Sequence, residues 1–302
     1  MDGILIIDKP AGMTSHDVAN CVRRILKTKK VGHTGTLDPL ATGVLVMLVG
    51  KATRLAQFVD KDEKEYEATI KFGFETDTGD RTGVQNAECK MHNDEVAERL
   101  ATVDWDDVLS RFRGEIEQIP PMYSAKKVAG KKLYEHARKG VEIVREPVNI
   151  TIQKLEIVDP TQNDDLLSEV RIRVVCSAGT YIRTLAEDIG RAVGVGAHLD
   201  ALRRTRAGKF RIEDATTLDD IANAEDPATF LRPLDEVVRH LKGFVLEESR
   251  VKKTIGGLST RIDQDGFENG ESVKMLAPTG EIVAIGIFDA DESCIRPKIV
   301  LV

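Results

Sequence analysis

The chain has 302 residues, with 43 Lys plus Arg against 50 Asp plus Glu and a formal charge of −7. Its 41% hydrophobic content is enough for a real core, and its length predicts one large domain plus a small one. No run approaches the roughly 18–20 apolar residues that span a bilayer, and MDGILIIDKPAGMTS lacks the basic and apolar segments of an export signal, so a cytoplasmic protein is expected.

In chain order, "GILIID" (3–8) reads as a short buried strand stopped by Lys9-Pro10-Ala11-Gly12. Thr14 and Asp17 fit a capping box, and Val18, Cys21, Val22, Ile25 and Leu26 recur at helical spacing, which predicts a helix over 15–27. "YEATIKFGF" (66–74), "NITIQKLEI" (149–157) and "EVRIRVVCS" (169–177) alternate as strands with one buried side. The last of these runs through Gly179 into a helix over 181–193 marked by Leu185, Ile189 and Val193. Two segments read as excursions: the polar 75–85 and the basic, proline-bounded 120–147. After about residue 240, short strands with Pro-Thr-Gly and Asp-rich turns read as a small all-β module. The pattern predicts an α+β fold, a mixed or antiparallel central sheet with flanking helices, divided into 1–240 and 241–302.

The cysteines (21, 89, 176 and 294) have no CxxC, and His16, His33, His92, His136, His198 and His240 are dispersed without HExxH. A disulfide framework and a metal centre both lack support. The negative total hides two basic runs. Lys126, Lys127, Lys131, Lys132, Arg138 and Lys139 in 125–140 face one acid, Glu135, and Arg203, Arg204, Arg206, Lys209 and Arg211 in 202–211 face none. Local patches decide whether phosphates are attracted, and these two, one with Tyr134 inside it, tilt the reading towards nucleic acid.

"VGHTGTLDPLATGVLVMLVG" (31–50) sets a single acid, Asp38, in a glycine-rich turn directly before an apolar run. Asp-Pro is ordinary type I turn chemistry, and that is one reading. A phosphate-binding loop fails on spacing, because Gly50-Lys51 is preceded by Leu45 at the required glycine and followed by Ala52. The third reading is a catalytic carboxylate on a rigid turn, with glycines allowing close approach of a planar ligand and a cation holding its pKa down. Arg183, at the start of the 181–193 helix, is the candidate cation.

"GHTGTLDPLATGVL" resembles the aspartate-bearing motif of the TruB family of pseudouridine synthases, which act on uridine 55 in the tRNA T loop. "GILIIDKPAGMTSHDV", "KEYEATIKFGFETDTGD", "PPMYSAKKVAGKKLYEHARKG", "CSAGTYIRTLAEDIG" and "GAHLDALRRTRAGKF" resemble further motifs of that family, in its order, across residues 3 to 210. The resemblance implies a pseudouridine synthase fold with a small PUA-like RNA-binding domain at the C-terminus, and an isomerase that needs no cofactor and no metal. It implies base flipping, with Asp38 starting the glycosidic rearrangement. Tyr66 would cover the flipped uracil, Tyr181 would stack in the pocket, Arg183 would pair with Asp38, Leu202 would form an apolar wall, and His33 would aid insertion of the base. Lys127, Lys131, Lys132, Arg203, Arg204 and Arg206 are candidate RNA contacts. The expected partner is the tRNA T stem-loop, with no membrane, no required protein partner and a monomeric chain. The basic 120–147 segment and the "TDTGDRTG" loop look like the bacterial stand-alone type. A guide-RNA-dependent subunit, or an RNA-binding or folding protein with little catalysis, are the alternatives.

Overall fold

The strands follow from how many of their faces are covered. In the structure, a computed structural model, all residues are described except 60–61, 87–90, 125, 129–130, 138–139, 142, 159–167 and 263–265, together with the side chains of Lys127, Val128, Lys131, Lys132 and Tyr134. Strand β1 is Gly3–Lys9, helix α1 Ser15–Ile25, β2 Val31–Thr34 and β3 Thr42–Val49. Apolar residues run without alternation through β3 because both of its faces are covered. Leu45 and Met47 pack with Leu5, Ile7, Val18 and Val22 on one side, whereas Val44, Val46 and Leu48 pack with Ile4, Ile6, Leu55 and Phe210 on the other. Thr14 caps α1 through the expected box with Asp17, and the helix ends two residues sooner than its periodicity implied.

Strand β4 is Lys64–Phe72, with Tyr66, Ala68, Ile70 and Phe72 buried on one face, so the predicted alternation holds with its span moved two residues towards the N-terminus. Helices α2 (Asn93–Ala101) and α3 (Trp105–Ser110) lead to β5 (Gly114–Gln118). The hairpin β6–β7 (127–128, 131–132) and the short α4 (Leu133–Ala137) occupy the basic excursion. Then come β8 (Val148–Ile157), β9 (Glu169–Cys176), α5 (Ile182–Val193), β10 (Ala197–Ala207) and β11 (Phe210–Arg211). Among the described residues these build a nine-stranded sheet, β1-β3-β10-β4-β9-β8-β5, with β2 beside β3 and β11 beside β10. Every pairing is antiparallel except β3 with β10. The sheet is therefore mixed, and the helix α5 covers its β4–β10 half with Ile182, Leu185, Ile189 and Val193.

The basic run 202–211 is not a solvated face but the end of the central strand β10 and the turn into β11. Arginines there must pack or pair, because neighbouring strands flank them on both sides. After α6 (Leu218–Asn223) and α7 (Asp235–Val238), a second sheet forms with the order β12 (Lys242–Val245), β14 (Ser272–Leu276), β15 (Ile282–Asp289), β16 (Cys294–Val300), β13 (Thr260–Arg261). This module is β-rich as expected and also carries a helix, α8 (Glu248–Ile255). Ile285, Ile299 and Leu301 pack against Ile4, Val46 and Leu55, so the small sheet shares a core with the large one. Cys21, Cys176 and Cys294 are free thiols, and Cys89 lies outside the described residues.

The parallel contact of β3 and β10 brings backbones together at Gly43, whose φ is +100°. A Cβ there would sit against the carbonyl of Arg204. Gly43→Ala is expected to lower stability by at least about 2 kcal/mol in urea unfolding, because it adds both backbone strain and a clash with unyielding main chain.

Candidate active site

Asp38 stands on the turn between β2 and β3, and that turn is fastened from three directions. Ser15, the first residue of α1, is buried; its Oγ accepts from Leu37 N at 2.9 Å and donates to Leu37 O at 3.1 Å. Lys9, at the end of β1, is fully buried and donates from Nζ to Pro10 O (2.8 Å), Met13 O (2.7 Å) and Pro39 O (3.3 Å). Gly12 N also donates to Pro39 O, at 2.8 Å. Burial holds the Lys9 ammonium down to about 8, with the Asp38 charge opposing the shift. The third fastening is Arg204, only 1% exposed, which donates from Nε to Val44 O at 2.7 Å and from a terminal nitrogen to Gly35 O at 2.8 Å. The carboxylate is thus carried on backbone that has little freedom to move.

Arg183 reaches this turn from the first turn of α5. Its Nε lies 2.9 Å from Asp38 Oδ2, and its side chain is 5% exposed against 37% for that of Asp38. Its two terminal nitrogens donate to Thr78 O (2.9 Å) and Tyr123 O (2.7 Å), and Asp80 Oδ2 lies 3.9 Å away. Asp80 is itself buried and accepts from Thr78 Oγ1, Thr82 N and Thr82 Oγ1. Of the pair, therefore, the part open to a ligand is the carboxylate of Asp38, while the arginine is locked behind it.

The expected electrostatics need correction in sign. Arg183 does pull the Asp38 carboxyl down, as does Lys9, but burial outweighs both, with Asp80 adding to it, and the net shift is upward. Removing a carboxylate from water costs more here than one guanidinium returns.

The other sequence candidates divide. Tyr66, 8% exposed, sits opposite Arg204 in the β4–β10 ladder. Burial pushes its phenol up, Arg204 opposes through its charge and a hydrogen bond, and the Asp38 charge pushes further up. Tyr181 is the N-cap residue of α5, and Gln118 at the end of β5 holds both its peptide groups: Tyr181 N donates to Oε1 (2.8 Å) and Nε2 donates to Tyr181 O (3.0 Å). Its phenol is also raised by burial, with the Asp38 charge among the causes. Leu202 packs in the same core cluster as Tyr66, Leu37 and Leu40. His33 lies on β2 opposite Met47, on the strand that leads into the turn. Asp38, Arg183, Tyr66 and Tyr181 therefore lie within electrostatic reach of one another, with Leu202 in the core cluster that holds Tyr66.

Of the three β10 arginines expected to contact RNA, Arg204 is corrected to a structural group, whereas Arg203 and Arg206 keep exposed surface while pairing within the protein. Arg204 is buried as described. Arg203 makes a two-pronged pair with Asp8 (3.1 and 2.7 Å), and Arg206 pairs with Glu63 at 3.2 Å and Glu65 at 3.6 Å. Central-strand position forces these contacts. The side chains of Lys127, Lys131 and Lys132, and all of Arg138 and Lys139, lie outside the described residues.

Sequence reading missed Asp80, Gln118, Ser15 and Lys9. Asp80 had a visible signal, an acid inside the turn-rich "TDTGDRTG". That loop is no excursion: Leu199 N donates to Gly79 O and Arg81 N to Leu199 O, at 3.0 and 2.9 Å, so it docks on β10 beside Arg183. Ser15→Ala should leave a buried N–H and C=O of Leu37 without partners and cost about 1–3 kcal/mol in urea or thermal unfolding.

A model described as TruB family pseudouridylate synthase (N terminal domain) matches residues 23–182, and one described as tRNA pseudouridylate synthase B C-terminal domain matches 183–239. The chain is 45% identical over 302 residues to a tRNA pseudouridine synthase B of Azoarcus sp. (strain BH72), covering 99% of this chain and 94% of the relative. It is 38% identical over 307 residues to the tRNA pseudouridine synthase B of Bacillus subtilis (strain 168), covering 100% and 98%. Among solved structures, a chain of a Cbf5-Nop10-Gar1 complex superposes with a TM-score of 0.69 at 28% identity, covering 99% of this chain and 84% of that one. The fixed turn, the Asp38–Arg183 pair and two family models that together run from residue 23 to 239 agree: this chain belongs to the TruB family of pseudouridylate synthases.

Proposed function

We propose that the chain isomerises uridine to pseudouridine at position 55, in the T loop of tRNA, and does so as a single chain without a guide RNA. The observation that carries this reading is the Asp38 carboxylate, partly exposed on a rigid turn and 2.9 Å from a buried guanidinium that Thr78 O, Tyr123 O and Asp80 hold from behind. Its relatives of similar length are named as tRNA pseudouridine synthases, and their coverage leaves no large part of this chain unaccounted for.

Substrate and product are isomers, so the reaction needs no external oxidant or reductant. The N1–C1′ bond breaks, the uracil turns, C5 bonds to C1′, the C5 proton leaves and N1 takes a proton. The uridine must leave its stack to reach Asp38. Asp38, as the ionised form, starts glycosidic cleavage, at either the sugar or the base ring. Arg183 fixes its orientation and disperses its charge. Tyr66 has a raised pKa and therefore keeps its phenolic proton at neutral pH; its ring covers the uracil from the strand side and its hydroxyl is a donor. Tyr181 closes the opposite wall, Leu202 supplies apolar surface beneath the base, and His33 lies on the strand by which the base arrives. Residues 1–240 act as the catalytic unit and 241–302 as an RNA-binding module, with the 120–147 insertion gripping the T arm through Lys127, Lys131 and Lys132.

Incubating the purified chain with an unmodified tRNA transcript and mapping pseudouridine is the deciding experiment; product at position 55 without guide RNA is expected. Asp38→Asn should abolish product, a loss of at least about 10⁴-fold in single-turnover rate, while tRNA affinity stays within about threefold. Product formation at an unchanged rate would refute the role of Asp38. Because the ionised carboxylate is the working form and its pKa is raised, the rate should fall as pH drops through a value above the ordinary aspartate figure of about 3.9. Arg183→Gln removes an attraction that lowers this pKa, so its acid limb should lie at higher pH than that of the parent, beyond any overall loss of rate.

A further inference from the structure

Residues 23–30, RRILKTKK, carry Arg23, Arg24, Lys27, Lys29 and Lys30 with no acid among them. They form the end of α1 and the turn into β2, away from the site described above. Many arginines of this acidic chain are neutralised in pairs, as in Arg203–Asp8, Arg191–Glu75, Arg173–Glu67 and Arg232–Glu236. This corner is different. Arg23 donates to Asn20 Oδ1 and Val31 O, Arg24 meets Cys21 Sγ, and Lys27, Lys29 and Lys30 are exposed with no ionic partner among the described residues.

A helix C-terminus attracts cations, which accounts for Arg23, Arg24 and Lys27 by the dipole alone. Lys29 and Lys30 lie beyond the helix and gain nothing from it. Lys27 also stands at φ +49°, a left-handed position in which glycine or asparagine is the ordinary choice after a helix. A lysine held there has a backbone cost that a glycine would avoid. The backbone beneath the charges is fixed: Thr28 N donates to Arg23 O, Val31 N to Lys29 O, and Gly50 N to Lys30 O at 2.7 Å. The cations are therefore displayed on rigid main chain and not on a loose tail.

Strand β2 runs from this corner directly into the Asp38 turn. Asp38 lies eight positions after Lys30, so the two are at most about 29 Å apart, a span that a folded RNA bridges while its flipped nucleotide reaches Asp38. We propose that Lys27, Lys29 and Lys30, with Arg24, form a second RNA-binding surface that contacts the sugar-phosphate backbone of the tRNA body outside the arm that delivers the uridine. The inference rests on the tRNA reading given above, since it takes that RNA as its ligand.

Binding is measured by filter retention, independently of turnover, with full-length tRNA transcript and with the isolated T-arm hairpin, across a salt series. For Lys29→Glu/Lys30→Glu, affinity for full-length tRNA should fall at least tenfold, and affinity for the hairpin less than threefold. The milder Lys29→Gln/Lys30→Gln should lower the slope of log affinity against log salt by about 1.4 to 1.8 for full-length tRNA, the value for two lost phosphate contacts. Both pairs are exposed, and an unchanged melting temperature confirms the fold. Parent-like tRNA affinity and salt slope in both variants would overturn the proposal, as would an equal loss on hairpin and tRNA, which would place the contact within the arm already in the site. If the parent chain binds tRNA but forms no pseudouridine, the catalytic reading fails while this test still reads out.

Discussion

A carboxylate half out of water, paired with a guanidinium almost wholly out of it, is the constraint from which the rest of this structure follows. Arg183 has a 5% exposed side chain, so each of its donors must be satisfied inside the protein. Asp38 takes one, the carbonyls of Thr78 and Tyr123 take others, and Asp80 balances the charge from behind. Three segments that are remote in sequence are thereby fixed around one side chain of α5. The loop 75–85 and the chain before the basic insertion keep their positions because a buried cation requires acceptors there.

The same economy governs the turn that carries Asp38. A lysine, a serine and an arginine, all buried, each hydrogen-bond main-chain groups within residues 35 to 44, and the lysine also ties that turn to Pro10 and Met13. Such polar groups are costly to bury without partners, so their presence makes alternative conformations of the turn expensive. The result is a carboxylate whose direction is set before any ligand arrives, which is what electrostatic preorganisation demands. Burial that raises the Asp38 pKa is the counterpart of that arrangement: the environment that aims the group also disfavours its charge, and Arg183 limits the penalty.

Placing two basic segments near opposite ends of strand β3 also has a physical meaning. The arginines of β10 hold strands together, whereas the lysines after α1 face solvent with no ionic partner among the described residues. Basic residues at similar local density thus do different work, and the difference is whether neighbouring strands flank them.

Much was legible in the sequence. The unbroken apolar run of β3, the alternation of β4, β8 and β9, the capping box of α1 and the helical spacing of α5 are local patterns that water imposes directly, and the tertiary structure left them in place with shifts of about two residues at their ends. Asp38 and its partner Arg183 were also within reach, through the isolation of one acid in a glycine-rich turn and the motif blocks around both. The roles of Lys9, Ser15, Asp80, Gln118 and the three arginines of β10 were decided only by the fold. Each depends on which strand lies beside it and on how much water remains, and those are properties of non-local pairing. Composition along the chain records that a residue is charged; only the packed structure determines whether that charge is exposed to a partner or committed to the protein's own backbone.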